Sequence, residues 1–234
     1  MATLTLDAAQ KLVRKNLDEV DPNGSIMYTD ENGSSSDYAD NKSMDDIIAK
    51  SLPEAINAIH LAAPVTMLDG VTVTPTLTVS TNTPSGNAGK VLNIALASTD
   101  KFLRLVAFKA ADSDIVVTDA IEEASPEGRK QANKYICGQY DRPRLIHVQG
   151  SYGEPAFKYY SLKSTTSTTD SEDIAATVSK ILIVKKQEYA AATTSYTISE
   201  KLRQNIIDYL TGLVLEIYSD QRAQNFFQRA INFQ

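Results

Sequence analysis

The stretch from Ile198 onward constrains the fold more than any other part of the chain. Its apolar side chains fall at Ile198, Leu202, Ile206, Tyr209, Leu210, Leu213, Val214 and Ile217. Steps of three and four put them on one stripe, which predicts an amphipathic helix. Ser219, Asp220, Gln221, Arg222, Gln224 and Asn225 then form a polar break, and Phe226, Phe227, Ala230, Ile231 and Phe233 follow it. Chain ends are usually polar and frayed. An aromatic end therefore needs burial, in its own domain or against a neighbouring chain. No catalytic motif competes with this feature, so the residues speak of assembly more than of a reaction.

At 234 residues the chain can hold one large domain or two small ones. The hydrophobic fraction of 42% is enough for a core, with loops and polar strands taking much of the length. Eleven Tyr against six Phe, and no Trp, give an aromatic content suited to half-buried and interface positions. A net charge of -6 repels phosphate backbones unless basic residues are segregated. Arg129, Lys130, Lys134, Arg142 and Arg144 are too thin a cluster for that, which argues against sequence-reading of nucleic acid. The single Cys137 cannot form an intramolecular disulfide, and no apolar run reaches the length of a membrane span. With no apolar signal core after Met1, these features predict synthesis in a reducing cytoplasm. The Asn-x-Ser triplets at Asn23, Asn32 and Asn41 are accordingly read as loop chemistry.

Along the chain, Leu6, Ala9, Val13, Leu17 and Val20 predict a first helix stopped by Asp21-Pro22-Asn23-Gly24. A polar loop fills 21–43. Ser43, with Asp46 three residues on, predicts the start of a second helix whose face is Met44, Ile47, Ile48, Leu52, Ala55, Ile56 and Ile59. Pro53 either kinks it or begins another helix, and Pro64 ends it. From Asp69-Gly70 the period changes to two: Val71, Val73, Leu77 and Val79 alternate with threonines. Pro75 inside that run predicts an edge strand or a bulge. Further strands are expected at 91–97, 102–109 and 115–117, with a turn-rich loop at 82–89. A helix opens at Ser125-Pro126-Glu127 and runs to about Ile136. Leu145–Gln149 and Phe157–Leu162 predict a hairpin around Gly150-Ser151-Tyr152-Gly153. Ser164–Ser171 is a Ser/Thr loop, and Ile181–Lys185 a buried strand. The expected fold class is α+β: a helical scaffold from both terminal segments with a β-rich insertion. Its parts are an N-terminal helical part (1–69), the insertion with one short helix (70–190), and a C-terminal helix with a docking tail (191–234).

Candidate sites each meet a plainer explanation. Gly86-Asn87-Ala88-Gly89-Lys90 ends like a phosphate loop, but Pro84 replaces the first glycine and Val91 the metal-binding hydroxyl, leaving a turn. Glu19 to Asp30, with Asp21, Asn23 and Gly24, faintly copies a calcium loop; Pro22 and the short Asp30 favour a helix end with an Asx-rich turn. His60 and His147 have no Cys or carboxylate at ligand spacing, so they read as a helix-surface and a strand-face histidine. Cys137 has basic neighbours but no histidine beside it in sequence. Arg142-Pro143-Arg144 reads as the start of a hairpin with solvated charges rather than a phosphate clamp. Glu122, Glu123 and Glu127 read as a solvated acidic stretch favouring a helix N-terminus. No catalytic residue, metal ligand or cofactor is assigned.

One set of segments carries a resemblance. Lys101-Phe102-Leu103-Arg104-Leu105-Val106-Ala107-Phe108-Lys109, Glu122-Glu123-Ala124-Ser125-Pro126-Glu127, Gln131-Ala132-Asn133-Lys134-Tyr135 and Arg142-Pro143 look like virion proteins of tailed phages, particularly those infecting gut Bacteroidetes. With helical ends around a β-rich middle, the chain resembles a head–tail connector (adaptor, or ring) protein of crAss-like phages. The match is close over those segments and in layout only elsewhere. The resemblance implies a structural virion protein made in the bacterial cytoplasm and not an enzyme. It implies a homo-oligomeric ring, typically of twelve copies, below the portal protein, with further tail or ring proteins as partners. DNA would pass through the channel without sequence-specific binding, which an acidic chain suits. A C-terminal segment of such proteins docks on portal subunits; here that role falls to Asn225, Phe226, Phe227, Arg229, Ile231 and Phe233. The large β-rich middle departs from the small all-helical adaptors of short-tailed phages. The competing readings are another virion component, such as a tail or head-completion protein, and a soluble module whose β-rich middle holds a ligand.

Overall fold

A computed structural model describes residues 1–17, 39–81, 90–111, 113–131, 138–139, 141–148, 156–161 and 178–233. The expected 82–89 turn, the Gly150–Gly153 loop and the 164–171 tract lie outside them. The fold mixes α and β. In chain order its elements begin β1 (Ala2–Thr5), α1 (Leu6–Asn16), α2 (Ala39–Ala62), β2 (Val71–Thr72), β3 (Thr76–Thr81), β4 (Lys90–Ala95) and β5 (Phe102–Ala110). They continue as β6 (Ile121–Glu122), α3 (Pro126–Lys130), β7 (Arg144–His147), β8 (Phe157–Tyr160), β9 (Val178–Lys185), β10 (Ser195–Ile198), α4 (Arg203–Ile217) and α5 (Ala223–Ala230). These form two compact units, one from Met1–Asp69 with Lys186–Gln234, the other from Gly70–Lys185.

The first unit is mainly helical, and α4 is its hub, with α1, α2 and α5 all packed on it. This explains why α4 buries Ile206, Ile207, Leu210, Val214 and Leu215 on more than one side. From α2 come Ile48, Leu52, Ala55, Ile56 and Ile59, all without solvent contact. Each such branched side chain contributes about 1.5–3 kcal/mol of apolar transfer. That sum carries Pro53 inside a single helix at the loss of one backbone hydrogen bond. The helix begins at Ala39, so Ser43 lies within it and is not its cap. α1 is capped instead by Thr5, whose Oγ1 accepts the Ala8 N–H at 3.2 Å. Two short strands that periodicity does not predict, β1 and β10, pair antiparallel from Ala2↔Ile198 to Thr5↔Ser195. Ile198 thus belongs to a strand and Leu202 to a 3-10 turn, Glu200–Leu202. Both are buried, but the helix itself starts only at Arg203. Asn57 of α2 clasps the chain across the unit: its Nδ2 donates to the Gln187 carbonyl and its Oδ1 accepts the Gln187 N–H, both at 2.8 Å.

The second unit holds two sheets, β2-β9-β5 and β3-β4-β8-β7-β6. Leu92, Ile94, Leu145, Phe157 and Tyr159 of the larger sheet share a core with Leu105, Phe108, Ile181 and Ile183 of the smaller. The opposite face of the larger sheet has its own small cluster, Val91, Ile146 and Tyr160. The run expected as one strand from Val71 to Val79 is broken at Pro75 into β2 and β3, which join different sheets. Proline has no N–H for a ladder, so the break falls where the chain changes sheet. At 115–117 there is one bridge rather than a strand, Val117 to Phe108. The expected hairpin is present as β7 paired with β8, Arg144↔Tyr160 to His147↔Phe157. α3 starts as expected, with Ser125 Oγ accepting the Gly128 N–H at 3.0 Å and Pro126 in the first turn. Residues 132–137, where it was expected to continue, lie outside the described ones.

Candidate functional site

The docking tail expected from the sequence is α5 and the residues after it. α4 closes at Tyr218, and Ser219 turns the chain with φ at 56°. Asp220 holds the turn: its N–H donates to the Leu215 carbonyl at 3.0 Å, and its Oδ1 accepts the Arg222 N–H at 2.8 Å. The Arg222 guanidinium hydrogen-bonds the same carboxylate and holds its pKa below the usual range. α5 then returns along α4.

Residues 223, 227 and 230 recur at helical spacing and face α4. Ala223 and Ala230 are buried, and the Phe227 ring lies 5.1 Å from that of Tyr209. Phe227 also lies on Gly212, where an added Cβ would be 2.7 Å from the ring. Polar groups lock the far end. Asn205 Nδ2 donates to the Ala230 carbonyl at 2.8 Å, covering an otherwise unbonded helix end. Arg229 reaches Asp208 at 3.3 Å, and Gln204 donates to the same oxygen at 3.0 Å. The Arg229 guanidinium also sits 5.0 Å from the centre of the Phe226 ring.

The six residues singled out from the sequence therefore separate. Phe227 points into the helix pair, and Arg229 binds a buried carboxylate. Phe226 and Phe233 are half-buried, while Asn225 and Ile231 are exposed. Asp208 and Gly212 are the residues that periodicity missed. Asp208 interrupts the buried run of α4 with a charge, a signal for a hidden cationic partner, but only the folded chain identifies Arg229.

The other candidates fall elsewhere. His60 is buried, not on a helix surface: its Nε2 accepts the Ser199 N–H at 3.5 Å. Burial pushes its pKa down to about 4, against a smaller opposing effect of Asp69. Asp69 is itself tied by its N–H to Ser199 Oγ at 2.7 Å. His147 is on β7, as a strand histidine should be, with Nδ1 3.0 Å from Glu122 Oε1 and its ring 4.8 Å from Phe102. Glu123 pairs with Lys158 at 2.6 Å, so two members of the acidic stretch are held in pairs rather than simply solvated. Arg142 and Arg144 are exposed at the start of the β7–β8 hairpin. Among the described residues no group of three or more His, Cys, Asp or Glu could hold a metal ion, and no helix is long and apolar enough to cross a membrane. Cys137, the Gly86–Gly89 loop and the 19–30 segment lie outside the described residues.

Comparison with protein-family models, with curated proteins and with solved structures finds no match for this chain. α4 and α5 meet through hydrogen-bonding and aromatic groups.

Proposed function

We propose that this chain is a structural virion protein, a ring-forming head–tail connector subunit that links the portal to the tail of a tailed phage. The observation that carries the reading is the C-terminal helix pair. An aromatic segment follows a polar break, folds against α4 through Phe227, and leaves Phe226, Ile231 and Phe233 at or near the surface. Ile231 is 57% exposed. A surface of this kind suits docking into a groove on a portal subunit. The resemblance in the 101–109, 122–127 and 142–143 segments points the same way, and an acidic chain suits a channel through which DNA slides. In this reading the terminal segments form the helical scaffold and the β-rich residues an insertion that meets the next ring or a fibre.

The test is the mass and appearance of the purified chain, alone and mixed with its cognate portal protein, by light scattering and negative-stain microscopy. A ring, or a monomer that becomes one on the portal, is expected. A monomer indifferent to the portal overturns the reading. Ile231→Ser should then weaken portal docking by about tenfold or more, the equivalent of one buried apolar side chain, with melting unchanged.

A further inference from the structure

β3 ends the five-stranded sheet, the edge position that Pro75 predicts. Among the described residues its one ladder is with β4, from Thr76↔Ala95 to Thr81↔Lys90. In an antiparallel ladder alternate residues aim their N–H and C=O away from the partner. Among the described residues, half of this six-residue strand therefore offers its backbone to an edge with no second ladder. Natural edges are usually blunted by charge, proline, bulges or shortness. Thr76–Thr81 has no charge, no internal proline and an unbroken register with β4. The opposite edge, β6, is two residues long and carries Glu122.

A second observation lies on the same strand. Leu77 and Val79 share the face that carries the core. Leu77 packs on that core, whereas Val79 is 43% exposed. An apolar side chain is left uncovered on the core side where the sheet stops.

We propose that this edge pairs antiparallel with β3 of a second copy, about a two-fold axis perpendicular to the sheet. Such an axis keeps both core faces on one side and sets one residue opposite its own equivalent. Centred on Thr78, it places Leu77 opposite Val79 of the second copy and Thr76 opposite Ser80 of the second copy. The exposed Val79 gains an apolar neighbour, and the other face gains hydroxyl pairs. Charge selects the occupant. An isologous contact brings each residue near its own equivalent, so a charged strand would repel itself. The chain as a whole, at -6, resists self-association, and β3 is an uncharged strip where two copies can approach. The pairing does not depend on the connector reading, because it needs no portal.

Analytical ultracentrifugation of the full chain over a dilution series tests it. Thr78→Lys sets two ammonium groups across the axis, and Val79→Lys removes the contact with Leu77; both sites are solvent-exposed. The wild type should associate as an even number of chains. Each variant should raise the concentration of half-dissociation by about fivefold or more, with unchanged melting. A wild type of one chain throughout, or variants that keep the wild-type curve, overturns the proposal. If the variants fail to fold, amide exchange of the wild type decides. Exchange over 76–81 that slows with concentration supports the pairing, and concentration-independent rates overturn it.

Discussion

His60 is neutral in the folded chain because the ring is buried against the Ser199 backbone. Its pKa is about 4 there against 6.5 when unfolded, so the unfolded state binds the extra proton between those values. The stability tied to this group is complete above about pH 6.5 and is lost as pH falls toward 4, on the order of 3 kcal/mol in all. Denaturant midpoints measured from neutral to acid pH should fall in that window, and His60→Gln should flatten the fall. Asn57 offers a pH-independent counterpart. Asn57→Ala removes both hydrogen bonds to the Gln187 backbone and should cost about 1–3 kcal/mol in urea melts. Neither role is legible in the sequence. His60 sits at helical spacing near a helix end, and what buries it lies 139 positions further on.

α4 and α5 are stapled at one close approach. Gly212→Ala gains about 1 kcal/mol of helix propensity, but its Cβ would press on the Phe227 ring, and overpacking costs about 1–3 kcal/mol. A net loss of thermal stability is expected, with Phe227→Ala also destabilising the unassociated chain. Ile231→Ser acts at the surface and should leave the melt in place, which separates folding from docking within one tail. The helix and the polar break were readable from spacing. Phe227's inward turn was not, because it depends on a glycine and a tyrosine of another helix. The same division runs through the other elements. Ser125-Pro126 announces α3, and the alternation around 145 and 157 announces the β7–β8 hairpin, because caps and period-two patterns are local. β1 and β10 are too short to show a period, and they form only because each supplies the other's ladder.

At the scale of the molecule, mixed α and β content was evident from the change of period at Asp69-Gly70 and its return after Lys185. The division of Val71–Val79 between two sheets was not, since both halves keep the same alternation across Pro75. One feature of the first unit also acts on time. Asn16 of α1 hydrogen-bonds Thr211 of α4, 195 positions later. At about 5–20 residues per second, translation takes on the order of 10–40 s to deliver that partner. Gly70–Lys185 is continuous and is fully synthesised within that interval. The parts of the chain therefore mature in an order opposite to their emergence. α1 and α2 wait longest for their packing partner, and a nascent chain stalled before α4 should bind chaperones through them.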